Sequence, residues 1–125
     1  QPSEKQKEIY KVMTEAQQTM LDGIKPGMTA GEADALGRKV IQKAGYGEYS
    51  NHRCGHGIGL GLHEPPYLRY DNDLVLEEGM SFSIEPGIYL PEFGGFRHSD
   101  TVILKKGGSE KITSFKRELE ELIIL

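Results

Sequence analysis

The sequence has little cysteine: Cys54 stands alone, so no internal disulfide framework can form, and such thiol usage fits a reducing compartment. It lacks any apolar run near the ~20 residues that span a bilayer. No basic, then apolar, then small-residue leader opens the chain. A basic excess is missing too, with 15 Lys+Arg against 19 Asp+Glu and a net charge of −4. Nucleic acid and anionic membrane surfaces select a basic face, so neither is expected as a partner. There is also no internal repeat, linker or low-complexity tract. These absences leave one cytoplasmic domain as the expectation, and 125 residues suffice for a modest core. No initiator Met precedes Gln1-Pro2, which points to a piece of something longer.

What is present changes grammar at Gly45. Before it, Ser3 with Gln6 makes a capping box, and Ile9, Val12, Met13, Ala16, Met20 and Leu21 recur at helical spacing up to a stop at Gly23. "KPGMT" reads as a turn. Thr29 with Glu32 opens a second helix, with Ala33, Leu36, Val40 and Ile41 on its apolar face and Gly45 as its close. The polar faces of both helices are expected to be solvated and chemically silent. After Gly45 the runs become short and β-rich. "MSFSIEPGIYL" (80–90) and "GFRHSDTVILKK" (95–106) read as strands, "KKGGSE" as a hairpin turn and "KITSF" as a return strand. "LRYDNDLVLEEGM" (68–80) reads as a loop. The apolar tail "RELEELIIL" is expected to be buried as a final strand or helix turn. Helices first, then antiparallel strands, predict an α+β layer architecture.

The chemistry concentrates in "HRCGHGIGLGLHEPP", residues 52–66, which holds three of the four histidines. Its glycines at 55, 57, 59 and 61 alternate, which neither phosphate-loop pattern does. Pro65-Pro66 after His63-Glu64 forbids the helix on which a zinc-protease motif would place its second His. Cys54 near His56 lacks the orienting third group of a nucleophilic pair and reads as a buried small hydrophobe. What remains is imidazoles on an extended, glycine-rich segment. His52 and His56 share a face where the chain is extended, with His63 beyond a bulge or turn. Glu85 in "SIEPG" interrupts an apolar strand, where a carboxylate needs a cation or hydrogen-bond partners. A His plus a carboxylate suits a divalent ion that activates water.

Over essentially the whole chain these blocks resemble one family, the pita-bread metallopeptidases, which include Xaa-Pro dipeptidases, aminopeptidase P, methionine aminopeptidases and the non-metal creatinase branch. The blocks are "PSEKQKEIY", "IKPGMTAGEADALGRKVIQKAGYGEY", "GHGIGLGLHEPP", "GMSFSIEPGIYLPEFGGFR" and "ITSFKRELEELIIL". The resemblance implies that residues 1–125 are the C-terminal portion of a pita-bread catalytic domain, two helices packed on a curved antiparallel sheet. It implies His56 and Glu85 as metal ligands, with Glu85 also managing a proton and His63 stabilising the oxyanion formed by attack of a metal-bound hydroxide. His52 and Arg97 match the substrate side of the Xaa-Pro-cleaving branch. The cofactor implied is manganese, cobalt or zinc, and the substrate a peptide with proline at the second position.

Two departures qualify the match. "RHSD" stands where metal-dependent members have "RIED", so Ser99 occupies the position of a bridging Glu, and a hydroxyl replaces an anionic bridge poorly. Two further family aspartates precede "PSEKQKEIY", outside this chain. The isolated chain is therefore expected to have little peptidase activity and to associate with itself or with the missing half. Loss of the Glu at Ser99 also fits a metal-independent, creatinase-like C–N hydrolase, and a pseudo-peptidase binding module is the third reading.

Overall fold

The computed structural model describes residues 1–124. Ser3 caps α1 (Glu4–Gly23) and Thr29 caps α2 (Ala30–Lys43), each through the reciprocal capping box read from the sequence. A 3₁₀ turn at Gly47–Tyr49 leads into β1 (Gly55–Gly57) and β2 (Glu64–Leu68). Next come β3 (Ser81–Ile84), β4 (Gly87–Leu90), β5 (Gly94–Arg97), β6 (Asp100–Lys105) and β7 (Gly108–Lys111), and a single turn of helix, α3 (Leu119–Leu122). β2-β1-β3-β6-β7 form a five-stranded antiparallel sheet, and β4-β5 a separate two-stranded one. No helix is long and apolar enough to cross a membrane among the described residues.

The helices close both sheets. Met20, Ile24, Ala30 and Ala33 pack with Leu68, Phe82, Ile84, Val102 and Leu104 from the larger sheet. The N-terminal half of α1 instead meets the smaller sheet, where Ile9, Met13 and Ala16 pack with Ile41, Tyr46 and Ile88. Full burial of each large aliphatic or Phe side chain stabilises by about 1.5–3 kcal/mol, so α1 ties two sheets that share no ladder.

Four expectations need correction. The runs 80–90 and 95–106 are not single strands: each breaks, at Glu85-Pro86 and at His98-Ser99, where the chain passes from one sheet to the other. The two breaks lie side by side, between the pairs Ile84↔Asp100 and Gly87↔Arg97. The hairpin reverses at Lys106-Gly107, so β7 is "GSEK" rather than "KITSF", and Ile112 and Phe115 are exposed beyond it. The tail does form a helical turn, but Ile124 is 94% exposed, so its burial is not realised; Leu125 lies outside the described residues. Nor are the helices' polar residues uniformly solvated, because Gln17 and Asp34 are fully buried.

Candidate active site

The His-bearing strand threads a gap that only glycine permits. A Cβ on Gly55 would stand 2.0 Å from the Ser83 carbonyl oxygen, and one on Gly57 would stand 2.2 Å from that of Pro65. β1 therefore runs tightly between β2 and β3, with a register shift between His56 and Gly57. The His56 N–H donates to Ser83 Oγ at 3.0 Å, and the Glu85 N–H donates to the Cys54 carbonyl at 2.7 Å. Both side chains are thus delivered from neighbouring backbone and both are buried. Glu64, beside His63, closes the glycine loop by accepting the Gly61 N–H at 2.8 Å.

His56 Nδ1 lies 2.9 Å from the Gly57 carbonyl, which can only accept, so Nδ1 carries the proton and Nε2 presents a lone pair. That lone pair faces Glu85 Oε1 at 3.4 Å. Two acceptors in a buried position need a cation between them, either a proton or a metal. The donor types, one imidazole nitrogen and one carboxylate oxygen 3.4 Å apart, suit a first-row divalent metal. The other Glu85 oxygen, Oε2, accepts the Ser99 hydroxyl at 3.0 Å. Among the described residues no group of three or more His, Cys, Asp or Glu converges, so the chain offers two anchors of a ligand set and not a complete one. His63 is exposed, and its ring meets that of His56 edge-on with centroids 4.2 Å apart. A cleft of about 640 Å³ opens at His63, lined also by Arg53, Tyr67 and Arg69.

His52 stands apart from this pair. The chain is extended only from Gly55, and His52 occupies the bend before it. Its Nδ1 faces the Arg53 carbonyl, so Nε2 is the acceptor and the Tyr89 hydroxyl donates to it at 2.8 Å. Burial pushes the His52 pKa below its ordinary value; the hydrogen bond to the Arg53 carbonyl and then Glu85 oppose it, and Arg97 and Arg38 reinforce the lowering. Burial raises the Tyr89 pKa, with Arg97 opposing. Gly87 makes this contact possible, for a Cβ there would meet the Tyr89 hydroxyl at 2.6 Å and His52 Nε2 at 2.7 Å. Sequence reasoning missed Tyr89, because an aromatic in a strand reads as core. Its one signal is its position beside the small residues Gly87 and Gly95.

Behind these residues, α2 fixes the approach. Asp34 accepts from Arg38 Nε at 2.6 Å and from the Cys54 N–H at 3.0 Å, while Arg38 donates to the Ser50 and His52 carbonyls at 2.6 and 2.9 Å. Burial pushes the Cys54 thiol far above its ordinary range, in keeping with a packing role and not a nucleophilic one. The structure thus brings together His56, His63, Glu85 and Ser99, and sets His52 and Arg97 around Tyr89.

Comparison with known proteins matches residues 1–106 to the metallopeptidase family M24. The chain is 53% identical over 122 residues to the Xaa-Pro dipeptidase of Lactobacillus delbrueckii subsp. lactis, covering 98% of this chain and 33% of that protein. It superposes on the prolidase of Pyrococcus horikoshii OT3 with a TM-score of 0.92 at 50% identity, over 95% of this chain and 34% of that one. The Xaa-Pro dipeptidase of Bacillus anthracis gives 0.93 at 51% identity, over 95% and 34%. The chain therefore spans about a third of the length of the relatives it matches. Its α+β arrangement, two helices on antiparallel sheet, is that of the corresponding portion of the pita-bread fold, as the resemblance implied. With the family's model covering most of its length, the chain belongs to metallopeptidase family M24.

Proposed function

We propose that this chain forms the His- and Glu-bearing part of an X–Pro peptidase centre, hydrolysing peptides with proline at the second position. The observation that carries the reading is the buried His56 Nε2 lone pair facing Glu85 Oε1 at 3.4 Å, with His63 exposed beside them. His56 and Glu85 would hold a divalent ion (manganese, cobalt or zinc), which when bound supplies Lewis-acid polarisation and activation of water. The remaining donors come from residues outside this chain, in a complementary segment or a second copy.

The chain's own residues then have separable tasks. Glu85 accepts and returns the proton of the attacking water, and Ser99 holds its Oε2 in orientation. His63, free to reach a ligand in the adjoining cleft, donates to the developing oxyanion. His52, kept uncharged by burial, and Arg97 bound the proline side, with Tyr89 fixing the His52 ring. The test is hydrolysis of X–Pro and X–Ala dipeptides by the full-length protein that carries this chain, with and without a chelator. Chelator-sensitive cleavage of X–Pro in preference to X–Ala is expected; failure to cleave either contradicts the proposal.

One observation favours a second reading. Ser99 already engages Glu85 Oε2, so the carboxylate is oriented by a neutral hydroxyl where a bridging anion would serve two ions. A metal-independent, creatinase-like C–N hydrolase acting through His63 and Glu85 fits that chemistry, and chelator-resistant turnover of an amidino or amide substrate would select it.

A further inference from the structure

We infer that Gln17, at mid-length on α1, is the positioning residue for the Glu85–Ser99 pair. The inference rests on the reading of Glu85 as the carboxylate of the proposed peptidase centre. Both Glu85 and Ser99 lie at strand breaks, where the ladder between Ile84↔Asp100 and Gly87↔Arg97 is interrupted and main-chain groups lose their strand partners. Gln17 occupies that gap. Its Nε2 donates to the carbonyl of Ile84, immediately before Glu85, at 3.1 Å, and to the carbonyl of His98, immediately before Ser99, also at 3.1 Å. It also lies 3.2 Å from Asp100 Oδ2, immediately after Ser99. Arg117 Nη1 donates to Gln17 Oε1 at 3.3 Å, so the acceptors and the donor around the carboxamide agree on its orientation.

One fully buried carboxamide thereby spans both breaks and sets the distance between the two segments that carry Glu85 and Ser99. On the far side the same segments are joined by the Ser99–Glu85 hydrogen bond. Gln17 touches neither side chain, so it acts through the backbone. A packing residue at this point of α1 would be apolar, like its helical neighbours Met13 and Met20. A buried amide with no strand-gap to fill would cost stability without return.

The test compares wild type, Gln17→Met, Gln17→Asn and a control, Ser109→Ala, in the full-length protein. Ser109 Oγ donates to the Leu21 carbonyl at 2.6 Å, so the control cuts a different tie between α1 and the sheet. Gln17→Met is expected to lower kcat on an X–Pro dipeptide about tenfold to a hundredfold with KM within about twofold. Amide exchange at Glu85 and Asp100 should quicken at least about tenfold beyond any change at Leu104. Gln17→Asn, which keeps the donor but withdraws it, should fall between, and decides the matter if the Met variant does not fold. Ser109→Ala should lower Tm and leave kcat alone. An unchanged kcat in the Gln17 variants, or exchange that quickens equally at Leu104, overturns the inference. If wild type cleaves no X–Pro substrate, the peptidase reading fails, and the exchange comparison alone decides the role of Gln17.

Discussion

At the His52 end of the site both ring nitrogens are partnered: the Tyr89 hydroxyl donates to His52 Nε2, and His52 Nδ1 donates to the Arg53 carbonyl. At the His56 end an imidazole nitrogen and a carboxylate oxygen, both acceptors unless a cation lies between them, stand 3.4 Å apart. The same residue type is thus used in two ways within one short segment. The first arrangement is complete as it stands and holds shape; the second is stable only with a cation between its members, which is where the proposed chemistry resides.

The largest effect that could break this contrast is at Glu85. Glu85→Gln replaces an acceptor by a carboxamide that can donate to His56 Nε2, so activity should fall by about 10³-fold or more. Thermal stability should hold or rise, as the mismatch is relieved. A joint loss of Tm and activity would mean that the carboxylate is structural. His63→Ala comes next, with an expected loss of about 10²-fold in kcat, as for removal of one oxyanion donor, and almost no change in unfolding because the ring is exposed.

At the satisfied end the expected effects are smaller and of another kind. Tyr89→Phe removes one hydrogen bond, worth about 1 kcal/mol, and should lower Tm by a few degrees while raising KM more than it lowers kcat. A KM left unchanged would sever His52 from substrate contact. The smallest effect is in pH dependence. The folded pKa of His52 lies below its ordinary value, so the unfolded state binds the extra proton first. Its contribution is fully present above about pH 6.5 and is lost as pH falls toward the lower folded value. His52→Gln should flatten that acid-side decline, read by urea titration between pH 7 and 5. His98, also lowered mainly by burial, retains its own share in both proteins.

The contrast also explains what could be read in the sequence. Helix starts were legible because capping boxes are local: Ser3 with Gln6 and Thr29 with Glu32 contain their own partners. His56, His63 and Glu85 were legible because glycine and proline around them have no simpler use, and the structure brings all three together. The strand breaks were not, since one alternation runs on through Glu85-Pro86 while the change of sheet is decided by tertiary pairing. Gln17 and Asp34 are not legible in the same way, because a polar residue on an amphipathic helix ordinarily faces water. Yet Gln17 sits four residues after Met13, within the apolar stripe, and Asp34 four before Arg38, and both spacings hint at burial.

Crystallising the full-length protein with manganese and locating the ion by anomalous scattering would address the unsatisfied pair itself. An ion bonded to both His56 Nε2 and Glu85 Oε1, absent from Glu85→Gln crystals, is the expected result. An active protein with no ion at that pair, or with the ion bound elsewhere, would contradict the cation-binding role given to His56 and Glu85.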